Sequence, residues 1–149
     1  QMPLNMEATY EGNDGKKHNV VMIHRAVLGS LERFIALLIE NYKGKFPLWL
    51  APVQVKVLTL TERNKKFAEK VYNELKENNI RVELDDSSST IDKKIRESQL
   101  ENINYMVTIG DKETQNKTLA VRTLNGKVKF GVSLDKFTNS RLKEIEEKE

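Results

Sequence analysis

Gly29, Ser30 and Arg33 stand where an apolar repeat begins, and together they suit an anion. The free N–H groups and the positive dipole end of a helix favour negative charge, and a guanidinium in the first turn adds a planar cation. A nucleotide fits such a start. The plainer alternative pairs Arg33 with Glu32 or another carboxylate and leaves Gly29 to packing. His24 lies just upstream, and His18 is the only other imidazole. A lone histidine usually serves a structural hydrogen bond, because a metal site needs further ligands. A second group, Gly110-Asp111-Lys112-Glu113, places a glycine, a cation and two carboxylates directly after an apolar run. Arg96 and Arg122 are expected to approach the same end. The alternatives there are a charged turn and solvated arginines. No Ser/His/Asp triad, glycine-rich phosphate loop or paired-histidine metal motif occurs.

The elements that must carry these residues follow from the spacing of apolar positions. Leu31, Phe34, Ile35, Leu38, Ile39 and Tyr42 recur at helical intervals, which predicts a helix with one core face, stopped by Gly44 and Pro47. Ahead of it, residues 7–11 and 17–24 read as a hairpin around Gly12-Asn13-Asp14-Gly15. A hairpin and one helix cannot bury both faces of their own sheet. Residues 1–50 are therefore expected to be the end of a larger domain.

After Pro47 a regular alternation begins. Residues 53–60 read as a strand, and Thr61 as the cap of a helix carrying Phe67, Val71 and Leu75. Residues 80–84 read as a second strand, and Ile91 and Ile95 mark a second helix after the polar loop 85–90. Residues 105–109 form a short continuous apolar run, as a strand covered on both faces would. Strands at 118–123 and 127–132 flank Asn125-Gly126, a hairpin signal, and Ser133 precedes a last helix with Leu134, Phe137, Leu142 and Ile145. This order predicts an α/β domain over residues 51–149, a five-stranded mixed sheet with three helices, its first three strands parallel through right-handed crossovers. In such a sheet ligands bind beyond the carboxyl ends of the parallel strands. That directs attention to the turn after Leu60, to the loop 85–90 and to residues 110–113.

Composition narrows the classes. The 149 residues contain no cysteine, which excludes disulfides and cysteine metal ligands within the chain. No apolar run is long enough to cross a bilayer as a helix, and the expected location is cytoplasmic with no membrane partner. A net charge of +3 leaves room for a polyanion partner where the basic residues cluster.

The strings "VMIHRAVLGSLERF" and "FPLWLAPVQV" resemble the threonyl-tRNA synthetase family of class II aminoacyl-tRNA synthetases, and the likeness continues through "KKIRESQL", "YMVTIGDKE" and "LAVRT". The resemblance implies a C-terminal piece of a threonine–tRNA ligase, the end of the catalytic core over 1–50 and the anticodon-binding domain over 51–149. The full-length enzyme would charge threonine tRNA with threonine using ATP and magnesium, as a homodimer, and the fragment alone would be inactive. It also implies that Gly29, Ser30 and Arg33 belong to the ATP site, with Arg33 on the adenine and phosphates. His24 would be one zinc ligand, the others lying upstream. Arg96, Lys112, Glu113 and Arg122 would serve the anticodon, Glu113 accepting from the donor edge of a guanine and Arg122 meeting acceptors or a phosphate. The alternative class is a non-catalytic nucleic-acid-binding or accessory protein with a synthetase-like fold, for which His24 and Arg33 would have no use.

Overall fold

The structure, a computed structural model, describes residues 2–148. It divides into two compact units, Gln1–Leu37 and Leu38–Glu149.

In the first unit α1 (Met2–Asn5) precedes a hairpin of β1 (Thr9–Glu11) and β2 (Lys17–Asn19). Tyr10 pairs with His18 across it, and the turn is held by Asp14, which accepts hydrogen bonds from the Lys16 N–H and faces the His18 ring at 2.9 Å. The second strand is shorter than its apolar text predicts. From residue 20 to residue 30 the chain has neither helix nor strand, and Val21 and Ile23 are almost fully exposed. With no third strand to pair, an extended segment has no ladder to join. Helix α2 (Leu31–Tyr42) crosses the division between the units. Its apolar stripe is present, yet no residue of the helix is buried. The expected core face is thus only half covered among the described residues, with Phe34, Leu38 and Tyr42 half-buried and Ile35 and Ile39 exposed.

The second unit follows the predicted alternation. Its elements are β3 (Val55–Thr59), a 3₁₀ turn (Glu62–Asn64), α3 (Lys65–Glu77), β4 (Val82–Asp85), α4 (Ile91–Leu100) and β5 (Tyr105–Ile109). Then come α5 (Asp111–Asn116), β6 (Thr118–Thr123), β7 (Val128–Ser133) and α6 (Leu134–Glu147). The strand order is β4-β3-β5-β6-β7, with β3 parallel to both β4 and β5 and the remaining pairs antiparallel. Beyond the three expected helices, the charged segment after β5 forms a fourth, six residues long. Thr61 opens the 3₁₀ turn rather than capping α3, because its hydroxyl is taken by the Asn64 side-chain amide at 3.0 Å.

Alternation sorts each strand into two faces. Val55, Val57, Val107, Ile109, Leu119 and Val121 pack against Ala68, Val71 and Leu75 of α3 and Phe137 of α6. Leu58 and Met106, of the other parity, are also buried, and α4 packs against β3. Burying these aliphatic side chains contributes roughly 1.5–3 kcal/mol each, offset by the cost of ordering the chain.

Polar side chains complete the fold where the chain lacks regular structure. Leu48 and Ala51, in the connector before β3, are buried. Gln54 donates to the Leu48 carbonyl at 2.7 Å, Arg81 donates to the carbonyls of Ala51 and Trp49 at 2.8 and 2.7 Å, and Asn104 donates to Phe46 at 2.9 Å.

Candidate nucleic-acid interface

The residues picked out by sequence fall at three places. Gly29 and Ser30 begin α2 as expected: the backbone turns at Gly29, and the Ser30 hydroxyl accepts a hydrogen bond from the Arg33 N–H at 3.3 Å, the geometry of an N-cap. The Glu32 carboxyl is held below its ordinary range, first by its own backbone N–H and then by the Ser30 hydroxyl. Arg33 is exposed, and among the described residues its guanidinium forms no salt bridge, so the pairing with Glu32 is not made. His24 lies in the irregular segment, not at a strand end. His18 is committed to Asp14 and stacks near Tyr10, with ring centroids 5.6 Å apart. Among the described residues no group of three or more His, Cys, Asp or Glu is placed to hold a metal.

At the carboxyl end of β5, Gly110 is hemmed in: an added Cβ would lie 3.0 Å from the Glu113 carboxylate and 3.2 Å from Leu60. The reason is a reciprocal turn in which the Gly110 N–H donates to Glu113 Oε2 at 3.0 Å and the Thr114 hydroxyl donates back to the Gly110 carbonyl at 2.9 Å. A carboxylate has about four acceptor positions, so Glu113 keeps most of its capacity while its direction is set. Lys112 beside it is exposed.

Strand register separates Arg122 from this edge. Arg122 pairs with Met106, near the start of β5, and stands about 10 Å short of Ile109 at the usual strand rise. The antiparallel return of β6 causes this, so Glu113 and Arg122 do not flank one edge. Arg96 is displaced as well. Lys94 points into the sheet, and Arg96, two residues on and about 200° around the helix, is exposed. No ion pair links Arg96, Glu113 and Arg122 among the described residues.

Two polar constructions at the same end were not foreseen. Between the loops after β3 and β5, the Thr114 hydroxyl also lies 3.0 Å from Asn64 Oδ1, its single proton shared between that oxygen and the Gly110 carbonyl, and the Asn64 amide in turn donates to Thr61. These bonds tie together the two loops that border the position where a doubly wound sheet ordinarily takes a ligand. Between β3 and β4, the fully buried Lys94 ammonium donates to the carbonyls of Thr59 and Asp85 at 3.1 and 3.0 Å, with the Asp85 carboxylate 3.5 Å away. Burial alone would raise the Asp85 carboxyl, but the Ser87 hydroxyl and N–H and the Lys94 charge outweigh it and hold it low. A signal for Lys94 was present, since Ile91, Lys94, Ile95 and Ser98 share one helical stripe. The cleft of about 120 Å³ beside it is lined by hydroxyls with Glu62 and Asp86 and is poorly suited to phosphate.

Comparison with known proteins identifies the domain that carries these residues. A family model described as "Anticodon binding domain" matches residues 54–144. The chain is 52% identical over 137 residues to the threonine–tRNA ligase of Clostridium tetani, covering 92% of this chain and 21% of that protein. It is 47% identical over 149 residues to that of Clostridioides difficile, covering 100% of this chain and 23% of that protein. It therefore spans about a fifth of the length of the curated relatives it matches. Among solved structures, the RNA binding domain of threonyl-tRNA synthetase from Cryptosporidium parvum superposes with a TM-score of 0.72 at 36% identity, over 96% of this chain and 36% of that one. A prolyl-tRNA synthetase from the same organism, at 20% identity and a TM-score of 0.67 over 97% of this chain and 31% of that one, shares the fold. With all five strands of the mixed sheet lying inside the matched span, the chain belongs to the anticodon-binding domain family, in a form similar to that of threonine–tRNA ligases.

Proposed function

We propose that this chain reads the anticodon of a threonine tRNA as part of a threonine–tRNA ligase, the ATP-dependent enzyme that joins threonine to its tRNA. The observation that carries the reading is Glu113, a carboxylate held by Gly110 at 3.0 Å with acceptor capacity to spare, inside the matched domain. Its lone pairs suit the N–H donors of an unstacked guanine, and a side chain already fixed in direction loses little freedom on binding. Arg122 supplies a donor fork for a base acceptor or a phosphate some distance along the sheet, and Lys112 and Arg96 add exposed positive charge.

The first unit contributes the end of the activating site in this reading. The capped start of α2, with Gly29, Ser30 and the unpaired Arg33, receives the phosphates and adenine of magnesium-bound ATP. His24 gives one imidazole to a zinc ion completed by residues outside this chain. When bound, that metal would take the amino and hydroxyl groups of threonine and so reject valine.

The test is a titration of the chain with hairpin RNAs at fixed salt, one bearing a threonine anticodon and others mismatched. Glu113→Ala is expected to narrow the preference for the cognate loop by about 1–3 kcal/mol, while Lys70→Ala leaves it unchanged. Equal weakening of every hairpin by Glu113→Ala would reduce the segment to a charged helix start.

A further inference from the structure

Phe130 is 76% exposed in the middle of β7. Its position results from an irregularity in the ladder. Leu119 pairs with Val132 and Val121 with Lys129, so the single residue Ala120 faces both Phe130 and Gly131. This is a β-bulge, and Gly131 has φ +68, a conformation that a side chain would strain. The extra residue lets Val132 meet the core through Leu119 while Phe130 stays on the opposite face, two residues along from Val128. Arg122 pairs with Val128 and so lies diagonal to Phe130 on that face, within reach of a long side chain. Ala120, with its single methyl, leaves room for the ring.

We propose that Phe130 is a stacking platform for one unpaired base of the anticodon loop, with Arg122 holding the phosphate or base edge beside it. The proposal rests on the anticodon reading above and adds to it a residue that no carboxylate or cation pattern identifies. An open aromatic face beside a cation complements a nucleotide, whose base offers a π-face and whose phosphate offers the charge. Stacking is tolerant of base identity. Phe130 therefore supplies affinity and positions the loop, while discrimination falls to Glu113.

The experiment uses the 149-residue chain and the same threonine-anticodon and mismatched hairpins, with 2-aminopurine placed in turn at each loop position. Phe130→Ala is expected to weaken all hairpins alike by about tenfold, with Phe130→Tyr and Phe130→Trp within about twofold of wild type. Emission from 2-aminopurine at one loop position falls on binding to wild type and recovers with Phe130→Ala. The urea midpoint of each variant is expected to match wild type, since the ring is outside the core. Unchanged affinity in Phe130→Ala would overturn this proposal alone, as would a loss that Tyr and Trp fail to rescue. Concentration-dependent self-association that Phe130→Ala abolishes, seen by sedimentation, would assign the ring to a second copy and overturn it. Absence of any RNA binding by wild type would overturn the anticodon reading and this proposal together.

Discussion

Val21 and Ile23 in the first unit are 91% and 90% exposed, whereas Val55 and Val57 in the second are 0% exposed. Each pair belongs to a stretch with strand-like text, and α2 has an apolar stripe as regular as that of α3. The difference is a second layer. In the second unit a five-stranded sheet receives α3 and α6 on one face and α4 on the other, so Val55, Val57, Val107 and Leu119 all find partners. In the first unit the hairpin has two strands, and no residue of α2, which begins there, is fully buried. Periodicity orients side chains, but only a packed neighbour turns orientation into stability.

Hydrogen exchange would test the contrast most directly. The amides of Val57 and Val107 are expected to exchange about a thousandfold or more slowly than those of Val21 and Ile23, because the former open only with the whole domain. Similar rates in the two units would show that burial in the second does not confer cooperative stability.

Lys94→Met sharpens the comparison within the second unit. The change leaves two carbonyls and the Asp85 carboxylate without their cation, and is expected to cost about 3–5 kcal/mol in urea unfolding. Because Asp85 titrates lower in the folded state, its contribution is present above the ordinary carboxylate pKa and is lost as pH falls through the folded value. Acidification below about pH 4 should therefore narrow the gap between Lys94→Met and wild type. A cost near zero at neutral pH would mean the carbonyls find water instead.

A smaller effect lies at high pH. Burial pushes the Tyr105 hydroxyl up to about 12, with Arg141 4.1 Å above its ring and the hydroxyl donating a hydrogen bond to Glu144 at 3.0 Å. The raised value favours the neutral form in the folded state, so this contribution is intact below pH 10 and declines between 10 and about 12. Tyr105→Phe should flatten that part of the stability profile. The smallest effects belong to the first unit: His24→Ala and Arg33→Ala are expected to change the stability of the second unit and hairpin affinity by less than about 0.5 kcal/mol. A larger loss of hairpin affinity would assign these residues to RNA rather than to the proposed ATP and zinc sites.

The α/β order and most strand bounds of the second unit were legible because residues such as Val107 and Leu119 are constrained by period and turn chemistry together. Strand Tyr105–Ile109 needs no adjustment at all. The start of α2 at Gly29-Ser30 was equally plain. What escaped is of two physical kinds. Lys94, Asn64 and Arg81 hold loops through hydrogen bonds between distant segments, and a charged or amide residue looks the same in sequence whether it meets water or a carbonyl. Arg122 and Glu113 were grouped together because a list of loop residues carries no register, and only the pairing of Arg122 with Met106 sets them apart. The bulge at Ala120 is likewise a count of residues across two strands, invisible in either strand alone.

That bulge also bears on how the domain behaves at high concentration. β7 is an edge of the sheet and carries an open phenylalanine, which is the combination that invites strand addition and fibril growth. An extra residue at Gly131 breaks the even spacing of free N–H and C=O groups, and Lys127 and Lys129 set like charges against any identical edge. Removing Gly131 to regularise the strand would straighten the edge and invert the facing of the residues beyond it. The domain can thus display an aromatic ring to a partner without offering its backbone to another copy of itself.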